Sequence, residues 1–303
     1  MNELPHQLSA DALRHLQGSG TSAFRLGSAS DRWIEYFNRN LLLSAPSEKD
    51  FAGLLSMATA LCQKLDLPRD RCYGRILSKN QDGKTAPSLL HGPAPESPQC
   101  VVTENHLHYQ LDFSAGYSTG LFPDQRHNRQ YLTSLQPRQL LNCFAYTCAF
   151  SVAAAAAGAQ TVSIDVAGKA LDWGRRNFEL NNLSLAGHRF LADDVRDCLP
   201  RLARRGEKFD CIVLDPPTFA RSHKGKVFQV ENEMPQLVRL ALDCLSPGGR
   251  VLVSTNCRQL NPRALEELLR SVLAGKGRPK LHAEPPPADF PAWAMPATLW
   301  INS

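Results

Sequence analysis

The chain has 303 residues, carries 34 Lys and Arg against 29 Asp and Glu for a formal net charge of +5, and is 43% hydrophobic and 21% charged. This disfavours disordered and fibrous classes, and at roughly 100–200 residues per domain it predicts two domains, or one large domain with an appendage, each able to bury a core. The longest apolar stretch, residues 150–157, stops at Gly158, far short of the ~18 residues of a membrane span. The N-terminus lacks a basic start, an apolar middle and a small-residue cleavage site. A cytoplasmic protein with no membrane association is expected. Its cysteines, at 62, 72, 100, 143, 148, 198, 211, 244 and 257, include no Cys-x-x-Cys pair, so a reducing compartment and no metal are expected. The small positive excess permits a polyanionic partner without demanding one.

In chain order, residues 47–65 read as one amphipathic helix: Phe51, Leu54, Leu55, Ala58, Leu61 and Leu65 share a face, and Asp50 stands three residues after a Ser cap. Residues 79–98 are rich in Pro, Gly and Ser and read as a loop. Leu107, Tyr109, Leu111 and Phe113 alternate with polar residues, the pattern of a half-buried strand. A boundary near residue 100 divides the chain into an N-terminal α+β accessory region, 1–100, and a larger domain, 101–303. Strands are predicted at 139–143, 161–165, 188–191, 210–215 and 250–254. Helical segments fall between them at 150–157, 169–180, 195–204 and 231–245. Such alternation predicts an α/β fold with a largely parallel sheet. In the last helix Met234, Leu237, Val238, Ala241 and Leu245 keep helical spacing, and Ser-Pro-Gly-Gly at 246–249 ends it. Two tail strands, 280–284 and 298–301, flank a Pro-rich segment and are read as an edge hairpin.

The run from residue 139 is an apolar strand, a short turn, an Ala-rich helix and a second strand that ends in Asp165, 23 residues after Asn142. An acid about 20 positions after the first turn of such a unit accepts hydrogen bonds from ribose hydroxyls. The alternative is an acid that ends a strand and caps a helix. The first turn, residues 142–148, contains no G-x-G-x-x-G, so a pyrophosphate has no glycine cradle and NAD or FAD is disfavoured. A nucleoside without a pyrophosphate, such as S-adenosylmethionine, fits the layout.

The blocks TGLFPDQRHNRQYL (119–132), LLNCFAYTCAFSVAAAAAGA (140–159), VSIDV (162–166), ADDV (192–195), FDCIVLDPPTFARSHKGKVF (209–228) and LSPGGRVLVSTNCRQL (245–260) resemble bacterial S-adenosylmethionine-dependent methyltransferases related to the large-subunit ribosomal RNA cytosine-5 and guanine-N7 enzymes. The resemblance implies a Rossmann-like class I methyltransferase domain that methylates a base in ribosomal RNA. It implies that Asn142, Phe144, Tyr146 and Thr147 meet the methionine moiety and that Asp165, with Val166 beside it, holds the ribose. Asp194 would accept from the adenine amino group, with Val195 against the ring, and Asp193 is the competing choice. Asp215, Pro216, Pro217, Thr218 and Phe219 would form the acceptor loop, Phe219 stacking on an extruded base. Arg221, Lys224 and Lys226 suit RNA phosphates or a solvated loop. Gln125, Arg126 and Arg129 would close over cofactor or substrate, or pair with a carboxylate.

Three positions depart from the family pattern. Cys257 falls one or two positions late for the thiolate that attacks C6 of a pyrimidine, and of the two readings the semi-buried structural cysteine is favoured over the nucleophile. Cys148 replaces a glycine, where a side chain would crowd the cofactor. Thr218 replaces Lys or Ser. Three rivals stand beside the methyltransferase reading: a catalytically weak or inactive methyltransferase-fold RNA-binding protein, a methyltransferase acting on a non-RNA substrate, and the disfavoured nicotinamide-dependent oxidoreductase.

Overall fold

A computed structural model describes residues 4–78, 85–221, 227–275 and 279–302. The chain forms two units, Met1–Arg126 with Pro286–Met295, and His127–Pro285 with Pro296–Ser303.

In the first unit the elements are β1 (His6–Gln7), α1 (Ala10–Gly18), β2 (Ala23–Ser28), β3 (Trp33–Phe37), β4 (Asn40–Ala45), α2 (Phe51–Lys64), β5 (Arg71–Ile76), β6 (Ser88–His91), β7 (Gln99–Glu104) and β8 (Leu107–Asp112). Strands β1 to β6 make one sheet in sequence order. Only β4 and β5 run parallel, and α2 provides the crossover between them. Period-two alternation sends Phe24, Leu26, Ile34, Tyr36, Leu41, Leu43 and Cys72 to one face, against Leu13 and Leu16 of α1 and Leu54, Ala58 and Leu61 of α2. The β3–β4 hairpin closes through Asn38 and Arg39, φ 45° and 73°, the twist-matched two-residue turn that tolerates Asn. Asn105 and His106 close β7–β8 in the same way. Helix α2 begins after a 3-10 turn, Glu48–Asp50, in which Ser47 Oγ donates to Asp50 Oδ2 at 2.9 Å.

Residues 101–126, assigned by the sequence to the second domain, fall in the first unit. The reason is apolar contact: Tyr109, Leu111 and Phe113 are buried, and the Phe113 ring stacks on Tyr73 with centroids 4.1 Å apart. The same unit holds a buried charge cluster. Glu35 accepts from Arg25 and Arg75, each at 3.1 Å. Arg126, 2% exposed, donates through Nη1 and Nη2 to Asp289 at 2.7 and 3.3 Å and also to the Ala23 carbonyl, with Glu104 3.6 Å from its Nε. The Arg25 N–H completes the Asp289 carboxylate at 2.9 Å. The guanidinium expected at the cofactor is thus committed to a closed ion-pair network, and Gln125 beside it is 3% exposed.

The second unit continues with α3 (Arg126–Ser134), which starts at the last residue of the first, then β9 (Gln139–Cys143), α4 (Ala149–Ala156), β10 (Gln160–Asp165), α5 (Gly168–Leu180), β11 (Arg189–Ala192), α6 (Val195–Arg204), β12 (Phe209–Leu214), β13 (Phe219–Arg221), β14 (Val227–Gln229), α7 (Val230–Asp243), β15 (Leu245–Thr255), α8 (Pro262–Leu273), β16 (Lys280–His282) and β17 (Ala297–Asn302). The sheet order is β11-β10-β9-β12-β15-β17-β16. The first five strands are parallel, and β17 runs antiparallel between β15 and β16. The two tail strands therefore pair as expected, but β17 is interior and only β16 is an edge. Leu141, Ile164, Ile212, Leu214 and Val253 pack on one face against Leu199 of α6, Leu237 of α7 and Leu269 of α8. Leu140, Val213, Leu252 and Trp300 pack on the other, with Leu132 of α3 and Phe150 of α4. Buried on both faces, these strands read as apolar runs. Trp300 Nε1 donates to Asn128 at 2.9 Å, and Arg129 lies over the Phe150 ring. Among the described residues no helix is long and apolar enough to cross a membrane.

From β9 the chain moves outward through β10 and β11 and then returns to place β12 on the other side of β9. The strand order reverses there, so the loops leaving β9 and β12 diverge and open a crevice at the carboxyl ends.

Two consequences are measurable. Asp289→Asn leaves Arg126 with a broken buried pair and should lower stability by about 3–5 kcal/mol in urea unfolding. His188, whose Nδ1 accepts the Thr161 N–H at 3.2 Å, is held by burial below the ordinary imidazole value of 6.5. The folded state then binds the proton less well than the unfolded one. Its contribution is complete above 6.5 and is lost as pH falls toward the folded value, so His188→Gln should flatten the acid limb of a stability-against-pH curve.

Candidate active site

The crevice is lined by the loops that leave β9, β10, β11 and β12. After β9, Phe144, Tyr146 and Cys148 take φ values of 59°, 47° and 60°. Three non-glycine residues in the left-handed region within five positions cost about 1–2 kcal/mol each, and such strain persists only where the surroundings impose it. The loop's hydrogen bonds do so. Ala145 N–H donates to the Ile164 carbonyl at 2.9 Å, Tyr146 N–H to Asp165 Oδ2 at 2.8 Å and Cys148 N–H to the Ala145 carbonyl at 2.7 Å. From α5, Asn177 Nδ2 reaches the Thr147 carbonyl at 3.0 Å.

Asp165, at the end of β10, uses both carboxylate oxygens: Oδ2 takes Tyr146 N–H and Oδ1 takes Ala167 N–H at 2.8 Å. Burial raises its carboxyl above the ordinary 3.8, opposed by the Ala167 and Tyr146 N–H groups, which favour the charged form. After β11, Asp193 accepts the Asp194 N–H at 2.8 Å and pairs with Arg201. Asp194 caps α6 by accepting Arg196 N–H at 2.9 Å and takes the Arg196 guanidinium at 2.7 Å. Arg196 reaches onward to Glu233 of α7 at 3.0 Å and lies over the Phe228 ring. After β12, Asp215 is half-buried, Pro216 buried, Pro217 and Thr218 exposed and Phe219 half-buried at the start of β13. The β13–β14 hairpin pairs Phe219 with Gln229, and Phe144 meets Phe228 with centroids 5.7 Å apart.

Phe144, Tyr146, Asp165, Val166, Asp193, Asp194, Asp215, Pro217 and Phe219 thus belong to the loops at the carboxyl end of the sheet. Of the other expected contacts, Asn142 and Val195 lie in the core, while Thr147 and Cys257 stand in loops at this same end with their side chains buried. Asn142 is inside β9, 2% exposed, and donates to Ser151 Oγ at 2.9 Å, which meets Ser163 Oγ at 2.8 Å. It points across the sheet into α4 because it alternates with Leu141 and Cys143. Val195 is 1% exposed in the core under α6. The Thr147 side chain is likewise buried, and its backbone carbonyl accepts from Asn177. Cys257, two residues past β15, is 3% exposed, with Sγ donating to Gln259 Oε1 at 3.2 Å. Lys224 and Lys226 lie outside the described residues.

Cys148 does not crowd the loop's outer side. Its side chain is fully buried and its Sγ is directed at Gly174 of α5, where an added Cβ would lie 2.4 Å from Sγ. Burial pushes the Cys148 thiol up to about 12, which makes it unreactive. Sequence reasoning missed Gly174, Asn177, Arg196 and Glu233. A glycine inside a helical run is the one signal among them that a sequence offers.

A family model described as S-adenosylmethionine-dependent methyltransferase matches residues 66–299. The chain is 37% identical over 189 residues to the ribosomal RNA large subunit methyltransferase I of Aeromonas salmonicida (strain A449), covering 62% of this chain and 47% of that protein. It is 32% identical over 270 residues to the protein of the same name from Enterobacter sp. (strain 638), covering 86% of this chain and 65% of that one. The chain therefore spans about half to two thirds of the length of these curated relatives. Among solved structures, SMU.776, described as a methyltransferase complexed with SAH, superposes with a TM-score of 0.78 at 25% identity, over 98% of this chain and 82% of that one. A methyltransferase from Agrobacterium tumefaciens shares the fold with a TM-score of 0.71 at 20% identity, over 93% of this chain and 90% of that one. The match across most of the chain, on a parallel sheet whose order reverses at a crevice of carboxylates, places the chain in the S-adenosylmethionine-dependent methyltransferase family.

Proposed function

We propose that the chain is the methyl-transferring part of an enzyme that uses S-adenosylmethionine to methylate a base in ribosomal RNA. One observation carries the reading: hydrogen-bond acceptors suited to a nucleoside stand at the ends of β10 and β11, beside a strained backbone loop, where the strand order reverses. The relatives named ribosomal RNA methyltransferases supply the substrate class.

The donor set fits the cofactor. Each Asp165 oxygen accepts one backbone N–H and keeps a second lone pair, which suits the two hydroxyls of a ribose. Asp194, oriented by its cap and by Arg196, is the acceptor for the adenine amino group. Val166, half-exposed, is the apolar neighbour for the nucleoside, since Val195 is out of reach. The amino-acid end would lie at the start of α4, where the positive end of the helix dipole favours a carboxylate.

S-adenosylmethionine supplies the methyl group on a positively charged sulfur. The chain's own task is to hold the acceptor in line with it, an effect worth up to ~7–11 kcal/mol. Pro216 and Pro217 have no N–H, so the Asp215 carboxylate and the exposed Pro217 offer acceptors, which fit the N–H groups of a base edge. Phe219 offers a stacking face worth about 1–3 kcal/mol per base.

Incubated with methyl-labelled S-adenosylmethionine and unmodified ribosomal RNA, the protein should label large-subunit RNA at a base; label appearing in protein instead would move the substrate class. In the same assay, turnover that survives Cys257→Ser identifies a nitrogen acceptor, whereas turnover lost with S-adenosylhomocysteine binding intact identifies a ring carbon. Asp165→Ala should weaken S-adenosylhomocysteine binding by about 1–3 kcal/mol in calorimetric titration, and unchanged affinity would remove that carboxylate from the site.

A further inference from the structure

Loop and helix meet at one point with no room to spare. Cys148 holds φ 60° and ψ 29° at the start of α4, and its side chain lies against α5 where Gly174 has only a hydrogen. An added Cβ at Gly174 would stand 2.4 Å from Cys148 Sγ, 2.8 Å from Cys148 Cβ and 3.4 Å from the Thr147 carbonyl oxygen. Turning the thiol about its Cα–Cβ bond relieves the first clash but not the second, because Cβ does not move in that rotation. The backbone of 147–148 would have to give way. Asn177, one helical turn after Gly174 and on the same face of α5, holds the same stretch through the Thr147 carbonyl at 3.0 Å.

We infer that Gly174 is a positioning residue for the cofactor loop, and that Gly174 and Cys148 form a compensated pair: the side chain at 148 is compatible with cofactor binding only because α5 carries none at 174. A glycine at 148 would make no such demand on α5. Gly174 touches neither cofactor nor acceptor and acts only through the path of residues 146–148, whose Tyr146 N–H shares Asp165 with the proposed ribose site. The inference rests on the cofactor reading given above.

The test is a double-mutant cycle read by calorimetric titration with S-adenosylhomocysteine, at a temperature where circular dichroism shows each variant folded. Gly174→Ala in the wild-type background should weaken binding on the order of tenfold, although alanine is the better helix former. In the Cys148→Gly background the same substitution should cost less than about threefold, within the usual additivity error. A merely structural glycine would show equal losses in both backgrounds. If Gly174→Ala does not fold alone, recovery of folded, binding-competent protein in the Cys148→Gly/Gly174→Ala double variant is the same positive result. Wild-type binding with an unchanged Gly174→Ala variant, or a double variant no better than the single one, overturns the pair. Failure of the wild-type protein to bind S-adenosylhomocysteine overturns the cofactor reading and the pair together.

Discussion

The carboxylate of Asp165 is the tie on which the crevice depends. It ends β10 and binds the chain in two directions, forward to its own loop through Ala167 N–H and sideways to the β9 loop through Tyr146 N–H. Hydrogen bonds to a charged acceptor contribute about 1.5–3 kcal/mol each. That is comparable to the ~1–2 kcal/mol that each left-handed non-glycine residue of the β9 loop costs. The tie and the strain are therefore balanced terms of one local structure. Placing a carboxylate where burial raises its pKa is unfavourable by itself, and the two N–H groups supply the compensation.

Arg126 shows the opposite use of charge. The sequence offered Gln125, Arg126 and Arg129 as an element to close over a ligand, yet Arg126 spends its fork on Asp289 and the Ala23 carbonyl. Asp289 comes from a segment that leaves the second unit's sheet between β16 and β17 and belongs to the first unit. A buried ion pair of this kind adds little net stability but is expensive to break. It therefore fixes which segment docks in the first unit more than how tightly it docks. An arginine motif in a sequence reports that a partner exists, and the partner here is 163 residues downstream.

The α/β unit was legible because its strands are apolar on both faces and its helices keep their period, so local pattern and tertiary demand agree. The positions of Asp165 and Asp215 were legible for the same reason, since the first ends such a strand and the second follows one. The first unit was not. Its β2, β3 and β4 alternate around buried Arg25, Glu35 and Ser44, which breaks the apolar signal, and its hairpin turns use Asn38-Arg39 and Asn105-His106 where the strong sequence cue is Asn-Gly. The boundary expected near residue 100 failed to anticipate the stacking of Phe113 on Tyr73, because nothing local announces a contact across about 40 residues. Asn142 went to the core for a reason that alternation does contain: it lies one residue from Leu141 and Cys143 in a strand, so it faces α4, and Ser151 and Ser163 satisfy it there.

Cys148 carries the point further. Taken alone, a side chain at a position where the resemblance leads one to expect glycine argues for a damaged site, and the strain at φ 60° strengthens that argument. The structure answers it with a vacancy on a neighbouring helix. A substitution at one position of a close-packed interior is judged by the volume its neighbour concedes, and the conceding residue, Gly174, stands 26 positions away with no motif to mark it. Gly174 gives, on the helix against which the β9 loop rests, the room that the side chain at 148 needs. Loss of a motif residue therefore measures loss of function only after the packing around it has been read.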